Sequence, residues 1–234
     1  ADTPSTDTHA PGGMLGAGFA ATDDLWLGVS VGGSDATLTN SATENASSLS
    51  SSGFVWGQWR PGDLDLRGWL GAAYHDVNSR RQTLLGSRAN VDFHAWQGIA
   101  AIEARWWQPA QNGLRITPLL GLQATQVRRS SYNEGTASID NFKAEAQDQS
   151  SVQSALGGEL EWNTAMGKWP AMLTGSLVWQ HEYQPTDTTL KGTYAGDTTR
   201  TELGYDTTRL PENQWRAGAG ASVALSESAT LQLL

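Results

Sequence analysis

The chain has 234 residues, of which 15 are basic and 24 acidic, so its formal charge at neutral pH is −9. This balance argues against a nucleic-acid partner, because binding phosphates requires clustered Lys and Arg side chains. There is no cysteine, which excludes a disulfide framework and a Cys-ligated zinc site.

The N-terminal stretch, residues 1–11, has neither a basic region nor an apolar run of the kind found in signal peptides. It is interpreted as a tail or the remnant of a linker. No later segment approaches the roughly 20 apolar residues that a membrane-spanning helix requires. Residues 12–234 are therefore interpreted as one β domain.

From residue 12 onward, apolar residues recur with a period of two, the spacing that sends successive side chains to opposite faces of a strand. Leu64 and Leu66, for example, share one face, while Asp65 and Arg67 share the other. The pattern predicts ten strands, at about 12–21, 25–34, 53–60, 63–76, 92–107, 113–127, 148–163, 168–183, 212–225 and 229–234.

The connections between these strands alternate between short turns and long polar loops. The long loops are predicted near residues 35–52, 77–91, 128–147 and 184–211. In an antiparallel meander this alternation places all short turns at one end, as in outer-membrane barrels. The predicted fold is therefore an all-β, antiparallel, up-and-down transmembrane β-barrel. A soluble barrel or sandwich would give the same period of two, but it does not readily give this alternation of loops.

Aromatic residues cluster near the strand ends, where an amphipathic ring suits the interface between membrane and water. The predicted membrane-interface residues are Trp26, Trp56, Trp59, Trp106, Trp107, Trp162, Trp169, Trp179, Tyr183 and Trp215. Their distribution predicts one aromatic band at each end of an aliphatic middle.

Polar and charged residues occupy the opposite face of the strands and are predicted to line the lumen. They are Arg67, Glu103, Arg105, Arg115, Gln123, Glu159, Glu161, Gln180, Glu182 and Arg216. Two interpretations stay open: ion pairs that hold the wall together, or groups that hold a chain segment threading the pore.

Three stretches resemble the C-terminal translocator domain of bacterial autotransporters: "LRITPLLGLQATQVRRSSYNEG" (114–135), "SSVQSALGGELEW" (150–162) and "LVWQHEY" (177–183). The resemblance implies a twelve-stranded outer-membrane barrel that helps to export an N-terminal passenger to the cell surface. Its implied partners are outer-membrane lipid, the barrel-insertion machinery, and its own passenger or linker. Because only ten strands are visible and the chain ends at "LQLL", the closing strands are interpreted as missing.

Two alternatives remain, a simple porin-like barrel and a surface hydrolase. His75, Asp76 and Glu182 fall at the rim, which resembles the omptin surface proteases. Adjacent strand residues point to opposite faces, however, so His181 and Glu182 are not expected to share one pocket. The segment "HEYQP" also lacks the second His of the helical zinc motif. We expect no catalytic residue, no metal and no cofactor.

Overall fold

The computed structural model of the chain describes residues 6–40, 44–82, 88–135, 141–167, 169–184, 189–199, 201–206, 211–226 and 229–233. Residues 1–5 of the predicted tail and residues 227–228 of the last short turn lie outside these ranges. In the part of the chain that is described, no helix is long and apolar enough to cross a membrane.

The described residues form β-strands joined by turns. These strands are β1 (Thr6–His9), β2 (Gly12–Ala20), β3 (Leu25–Asn40), β4 (Glu44–Trp59), β5 (Leu64–Gln82), β6 (Arg88–Trp106), β7 (Leu114–Arg129), β8 (Tyr132–Asn133), β9 (Phe142–Ala144), β10 (Gln147–Met166), β11 (Trp169–Glu182), β12 (Thr189–Tyr194), β13 (Leu203–Asp206), β14 (Asn213–Ser226) and β15 (Ala229–Leu233).

The main sheet is an antiparallel meander in the order β3-β4-β5-β6-β7-β10-β11-β14-β15. Both β1 and β2 pair with β3 and extend along its free edge, so together they make the tenth position. Among the described residues, no ladder joins β15 to β1 or β2. The all-β antiparallel prediction is confirmed, and the ten predicted strands are present as β2 to β7, β10, β11, β14 and β15. The strand β1 lies in the segment predicted to be a tail, and β8, β9, β12 and β13 were not predicted.

The two faces of the main sheet differ in chemistry. The polar face carries Asp65 and Thr117, which are buried, and the apolar face carries Leu70, Ile102 and Leu120, which are more than half exposed. A cavity of about 510 Å³ is lined by polar-face residues from β5 through β14, so the sheet curves with its polar face on the concave side. The period of two in the sequence therefore separates a concave polar wall from a convex apolar one.

The short-turn end closes with tight turns that require left-handed backbone. Between β6 and β7, Asn112 and Gly113 have φ values of 52° and 83°. Gln111 and Leu114 flank them and exchange backbone hydrogen bonds of 2.8 and 2.9 Å. Two central residues with positive φ, in an Asn-Gly pair, are the signature of a type I′ hairpin turn.

At the long-loop end, the bounds predicted for the loops near 35–52 and 77–91 are wrong. β3 continues to Asn40 and β4 begins at Glu44, while β5 continues to Gln82 and β6 begins at Arg88. These extensions are rich in polar residues on both faces, so they lack the apolar alternation from which the strands were predicted. Their backbones pair all the same, because hairpin hydrogen bonds do not depend on an apolar face.

The loops predicted near 128–147 and 184–211 contain strands of their own. β8 and β9 lie between β7 and β10, and β12 and β13 lie between β11 and β14. They form a second, four-stranded antiparallel sheet in the order β13-β12-β9-β8. Because its central pairing joins β12 to β9 from a different loop, no local pattern could have predicted it.

Candidate functional site

Strand register places all ten residues predicted to line the lumen on the polar face. They do not form one continuous network. Some of them contact one another in groups of two or three residues, and others form hydrogen bonds with residues outside the predicted set.

A three-residue ion cluster occupies the middle of the polar face. Arg105 donates from Nε to Glu103 at 2.6 Å and from Nη1 to both carboxylate oxygens of Glu159 at 2.8 Å. Glu103 lies two residues from Arg105 on β6, and Glu159 comes from β10, across β7. One guanidinium thus links β6 to β10 across the intervening β7 through charge-assisted hydrogen bonds, the stronger kind.

Two further pairs flank this cluster. Arg115 lies 3.3 Å from Glu161, and its guanidinium stacks 5.2 Å from the ring centre of Trp107. Arg216 donates to Gln180 at 2.9 Å. The 510 Å³ cavity is lined by the central cluster together with Gln123, Gln153, Gln180 and Arg216. Its wall therefore presents carboxylates, amides and guanidinium groups side by side.

Sequence reasoning missed the most buried polar residue of this face, Asp65, whose side chain is 0% exposed. It accepts hydrogen bonds from Gln58 at 2.8 and 3.0 Å and from Arg67 at 2.8 and 3.1 Å, with Arg60 at 3.6 Å. The signal present in the sequence was the spacing of Asp65 and Arg67 on one face. Gln58 could be added only once the β4–β5 register was known.

Glu182 and Gln123 lie outside these ion pairs. Glu182 accepts hydrogen bonds from the Ser151 hydroxyl and from the backbone N–H groups of Val152 and Gln184. It therefore anchors the end of β11 to β10 and to the start of the following loop.

Seven of the ten predicted interface aromatics lie on the apolar face by register. They are Trp59, Trp106, Trp162, Trp169, Trp179, Tyr183 and Trp215. Their role at a membrane interface stays a prediction.

Trp26, Trp56 and Trp107 lie on the polar face instead, which corrects their predicted placement. The prediction used their distance from the short turns and ignored the face. The Trp56 ring lies over Gly18 and Gly28, where a Cβ at either position would overlap it. Because these two glycines have no side chain, the large Trp56 ring fits on the concave side.

The stretch "LVWQHEY" carries its aromatic and imidazole rings on one face of the strand and its carboxylate on the other. On the apolar face, His181 stacks on Trp179 at 5.7 Å and meets Tyr183 edge-on at 4.6 Å. Asn213 Oδ1 accepts a hydrogen bond from Trp179 Nε1 at 3.1 Å and lies 3.1 Å from His181 Nδ1. Glu182 faces the other way, so His181 and Glu182 share no pocket.

The residues proposed for a rim hydrolase are also separated. His75 lies on the polar face between Ser50 and Gln97, with contacts of 2.8 and 3.2 Å. Asp76 lies on the apolar face, 3.3 Å from His94. Within the described ranges, no group of three His, Asp or Glu side chains is placed to hold a metal ion.

A meander with a convex apolar wall and a concave charged wall belongs to the class of outer-membrane β-barrel proteins. The family model of the autotransporter beta-domain matches residues 1–233, and the chain belongs to that family. Members of this family are outer-membrane translocators that export their passenger domain, and this chain is located in the bacterial outer membrane. A search of curated protein sequences finds no match.

Solved structures of autotransporter domains have the same fold. The translocator domain of NalP from Neisseria meningitidis superposes with a TM-score of 0.72 at 14% identity, covering 95% of this chain and 72% of that one. The beta domain of the Bordetella autotransporter BrkA gives 0.61 at 14% identity, with coverages of 99% and 84%. The transport unit of AIDA-I from Escherichia coli gives 0.59 at 14% identity, with coverages of 97% and 75%. The surface hydrolase and the simple porin have no support from these comparisons.

Proposed function

We propose that the polar face holds the linker or passenger segment while it occupies the pore, through the residues around the 510 Å³ cavity. The observation that carries this is the mixture of chemistries on that wall. Carboxylates of Glu103 and Glu159, the amide of Gln180 and the guanidinium of Arg216 together offer donors and acceptors to a peptide backbone of any sequence. Such a wall binds a passing chain without selecting its side chains.

Replacing Glu103 and Glu159 together with Gln tests this proposal. The double variant keeps the size of both side chains but leaves Arg105 without its charged partners, so the cavity gains an unpaired cation. We expect surface-exposed passenger to fall by about threefold or more, because charge-assisted hydrogen bonds contribute on the order of 1.5–3 kcal/mol, and single-channel conductance to change. Passenger display is measured on intact cells with an antibody.

The matched control is Asp148→Asn, which removes the charge of an exposed carboxylate paired with Arg128 outside the polar face. It should leave export and conductance at the parental level. Unchanged export and conductance in the Glu103/Glu159 variant would contradict the proposed role of the cavity wall.

On this proposal the translocator comprises residues 12–234, and residues 1–11, of which Thr6–His9 pair with β3, lead toward the passenger. The apolar face contacts outer-membrane lipid, and the barrel-insertion machinery assembles the sheet. The large apolar side chains exposed on the convex face support this, because an extended apolar surface of this kind marks a contact with membrane or another apolar partner. Insertion into liposomes with and without the purified machinery tests the partnership; equal rates would contradict it.

The segment itself performs no catalysis on this proposal, in keeping with the generally non-catalytic character of autotransporter translocator domains. The separation of His75 from Asp76 supports it. His75→Ala should leave the release and the surface amount of the passenger unchanged, and a loss of passenger release would contradict the proposal.

A further inference from the structure

The second sheet lies against the concave wall at the long-loop end. On β6, the polar-face residues Ala89, Val91 and Ala95 are 0%, 6% and 8% exposed, although they do not line the central cavity, which β6 reaches only from Ala101 onward. β8 contacts β6 there, and Gly135 donates from its backbone N–H to the Asn90 carbonyl at 3.3 Å. The second sheet is therefore folded inward, toward the axis around which the main sheet curves.

A buried ion pair fixes this position. Arg81 of β5 donates from Nε and Nη2 to the two carboxylate oxygens of Glu134, both at 2.6 Å. Glu134 also accepts a hydrogen bond from the backbone N–H of Phe142 at 2.8 Å, and its side chain is only 4% exposed. One carboxylate thus joins the wall, the end of β8 and the start of β9.

Aromatic contacts surround this ion pair. Phe93 of β6 stacks on Tyr132 of β8 with ring centres 5.5 Å apart. The guanidinium of Arg129 lies 5.1 Å from the Tyr132 ring and 5.8 Å from the Phe93 ring, and it donates to the Glu145 carbonyl at 2.9 Å. Residues of three wall strands, β5, β6 and β7, therefore grip the β8–β9 edge of the second sheet.

We propose that the second sheet is a cap over the long-loop mouth of the pore and that the Arg81–Glu134 ion pair is the latch that holds it closed. The cap packs on the concave side of β5, β6 and β7, so we expect a chain that leaves the pore along this wall to displace it. A buried ion pair suits a latch better than an apolar contact does. When the cap opens, water can solvate both charges. When the cap is closed, a charge that stays buried without its partner is strongly disfavoured. The contacts that form the cap and the latch do not depend on the proposed export function. Only the idea that the cap opens to let a passenger leave rests on it.

Ionic current through the purified chain in a planar bilayer tests the cap without any passenger. Glu134→Gln removes the charge of the latch and keeps its shape, so Arg81 loses the bidentate carboxylate that it holds in the parent. We expect the open fraction to rise about tenfold or more, given the cost of breaking a buried pair. The control is Asp148→Asn, because Asp148 forms an equally bidentate pair with Arg128 that is exposed and lies on the apolar face, opposite the face that carries the cap.

A cross-link gives the second test and does not depend on how Glu134→Gln folds. Since the chain has no cysteine, Arg81→Cys with Glu134→Cys creates a unique pair that a short thiol-reactive linker can join. The unlinked pair should conduct more than the parent, and linking should return the current to the parental level or below. A heat-dependent shift in gel migration reports that each variant is folded.

Parental current in both Glu134→Gln and the unlinked cysteine pair would overturn the cap, as would a cysteine pair whose current does not respond to linking. A Glu103/Glu159 variant that exports normally would contradict the proposed role of the cavity wall. It would not contradict the cap, because the current is measured without a passenger.

Discussion

The main sheet and the second sheet are built in different ways from one chain. In the main sheet, strands that follow one another in sequence are neighbours in space, and most are 14 to 20 residues long. In the second sheet the strands have two to six residues and come from two separate loops. The first is stabilised by long local ladders, and the second depends on a few buried contacts.

Their buried carboxylates show the same contrast. Asp65 is satisfied by Arg67, two residues away, and by Gln58, seven residues away across a tight turn. Glu134 is satisfied by Arg81, 53 residues away. A carboxylate whose partners are near in sequence strengthens a hairpin that forms early. An ion pair between residues distant in sequence forms only when both sheets are in place. Substitutions in the main sheet should therefore lower the stability of the whole wall, and substitutions in the second sheet should lower the stability of the cap alone.

The largest effect is expected for Gly28→Val in the main sheet. Its side chain would overlap the Trp56 ring and approach the Ala17 carbonyl. Overpacking costs about 1–3 kcal/mol and occasionally more, and we expect the upper end because backbone is involved. The folded, heat-shifted band on a gel should be largely lost. Gly98→Val is the control, since a Cβ there meets nothing within 4 Å; equal loss in both variants would contradict the packing argument.

Next in size is Asp65→Ala, which removes the buried acceptor of Gln58 and Arg67. We expect the free energy of unfolding to fall by about 1–3 kcal/mol, the cost of leaving buried hydrogen-bonding groups without partners. Guanidinium unfolding in lipid vesicles measures it. Asp148→Ala, at an exposed ion pair, should cost less than about 1 kcal/mol. If the two variants were equally stable, the local network of Asp65 would not contribute to the wall.

A smaller, confined effect is expected for Gly192→Ala in the second sheet. The new methyl group would overlap the Lys143 carbonyl and the Phe142 ring, so the β9–β12 pairing should open. Trypsin cleavage after Lys191 should accelerate by about tenfold, which corresponds to about 1.4 kcal/mol of local destabilisation. The heat-shifted band should persist. Gly135→Ala, where a Cβ meets nothing within 4 Å, is the control, and loss of the folded band in Gly192→Ala would show that the two sheets do not fold separately.

The smallest effect is a pH dependence of the turn after β12. Hydrogen bonds from Thr199 and Thr201 lower the pKa of Asp197 from its usual 3.8 to about 2. Because the pKa is lower in the folded chain, the stabilisation is complete above pH 4 and is lost as pH falls through about 2. The carboxyl carbon shift of Asp197 in an NMR titration checks this. A midpoint near 3.8 would contradict the turn geometry, and Thr199→Val should move it upward.

Sequence reasoning placed the lumen residues on the correct face because alternation along a strand is a local property. The position of Arg105 relative to Glu103 follows from a spacing of two. Its link to Glu159 required the order of strands and their registers, which depend on the whole sheet. The three inward-facing tryptophans were misplaced because the prediction used their distance from the short turns and not their parity along the strand, which is equally local.

The sequence by itself determined the β class, ten of the strands, the polarity of the two faces and the tight turns at one end. Each of these follows from periodicity or from turn residues within a few positions of one another. Only the tertiary structure decided that the polar extensions pair beyond the apolar segments and that two loops combine into one sheet. It also decided that Glu134 meets Arg81. Those features rest on contacts between distant segments, whose free energy appears only after the wall has brought them together.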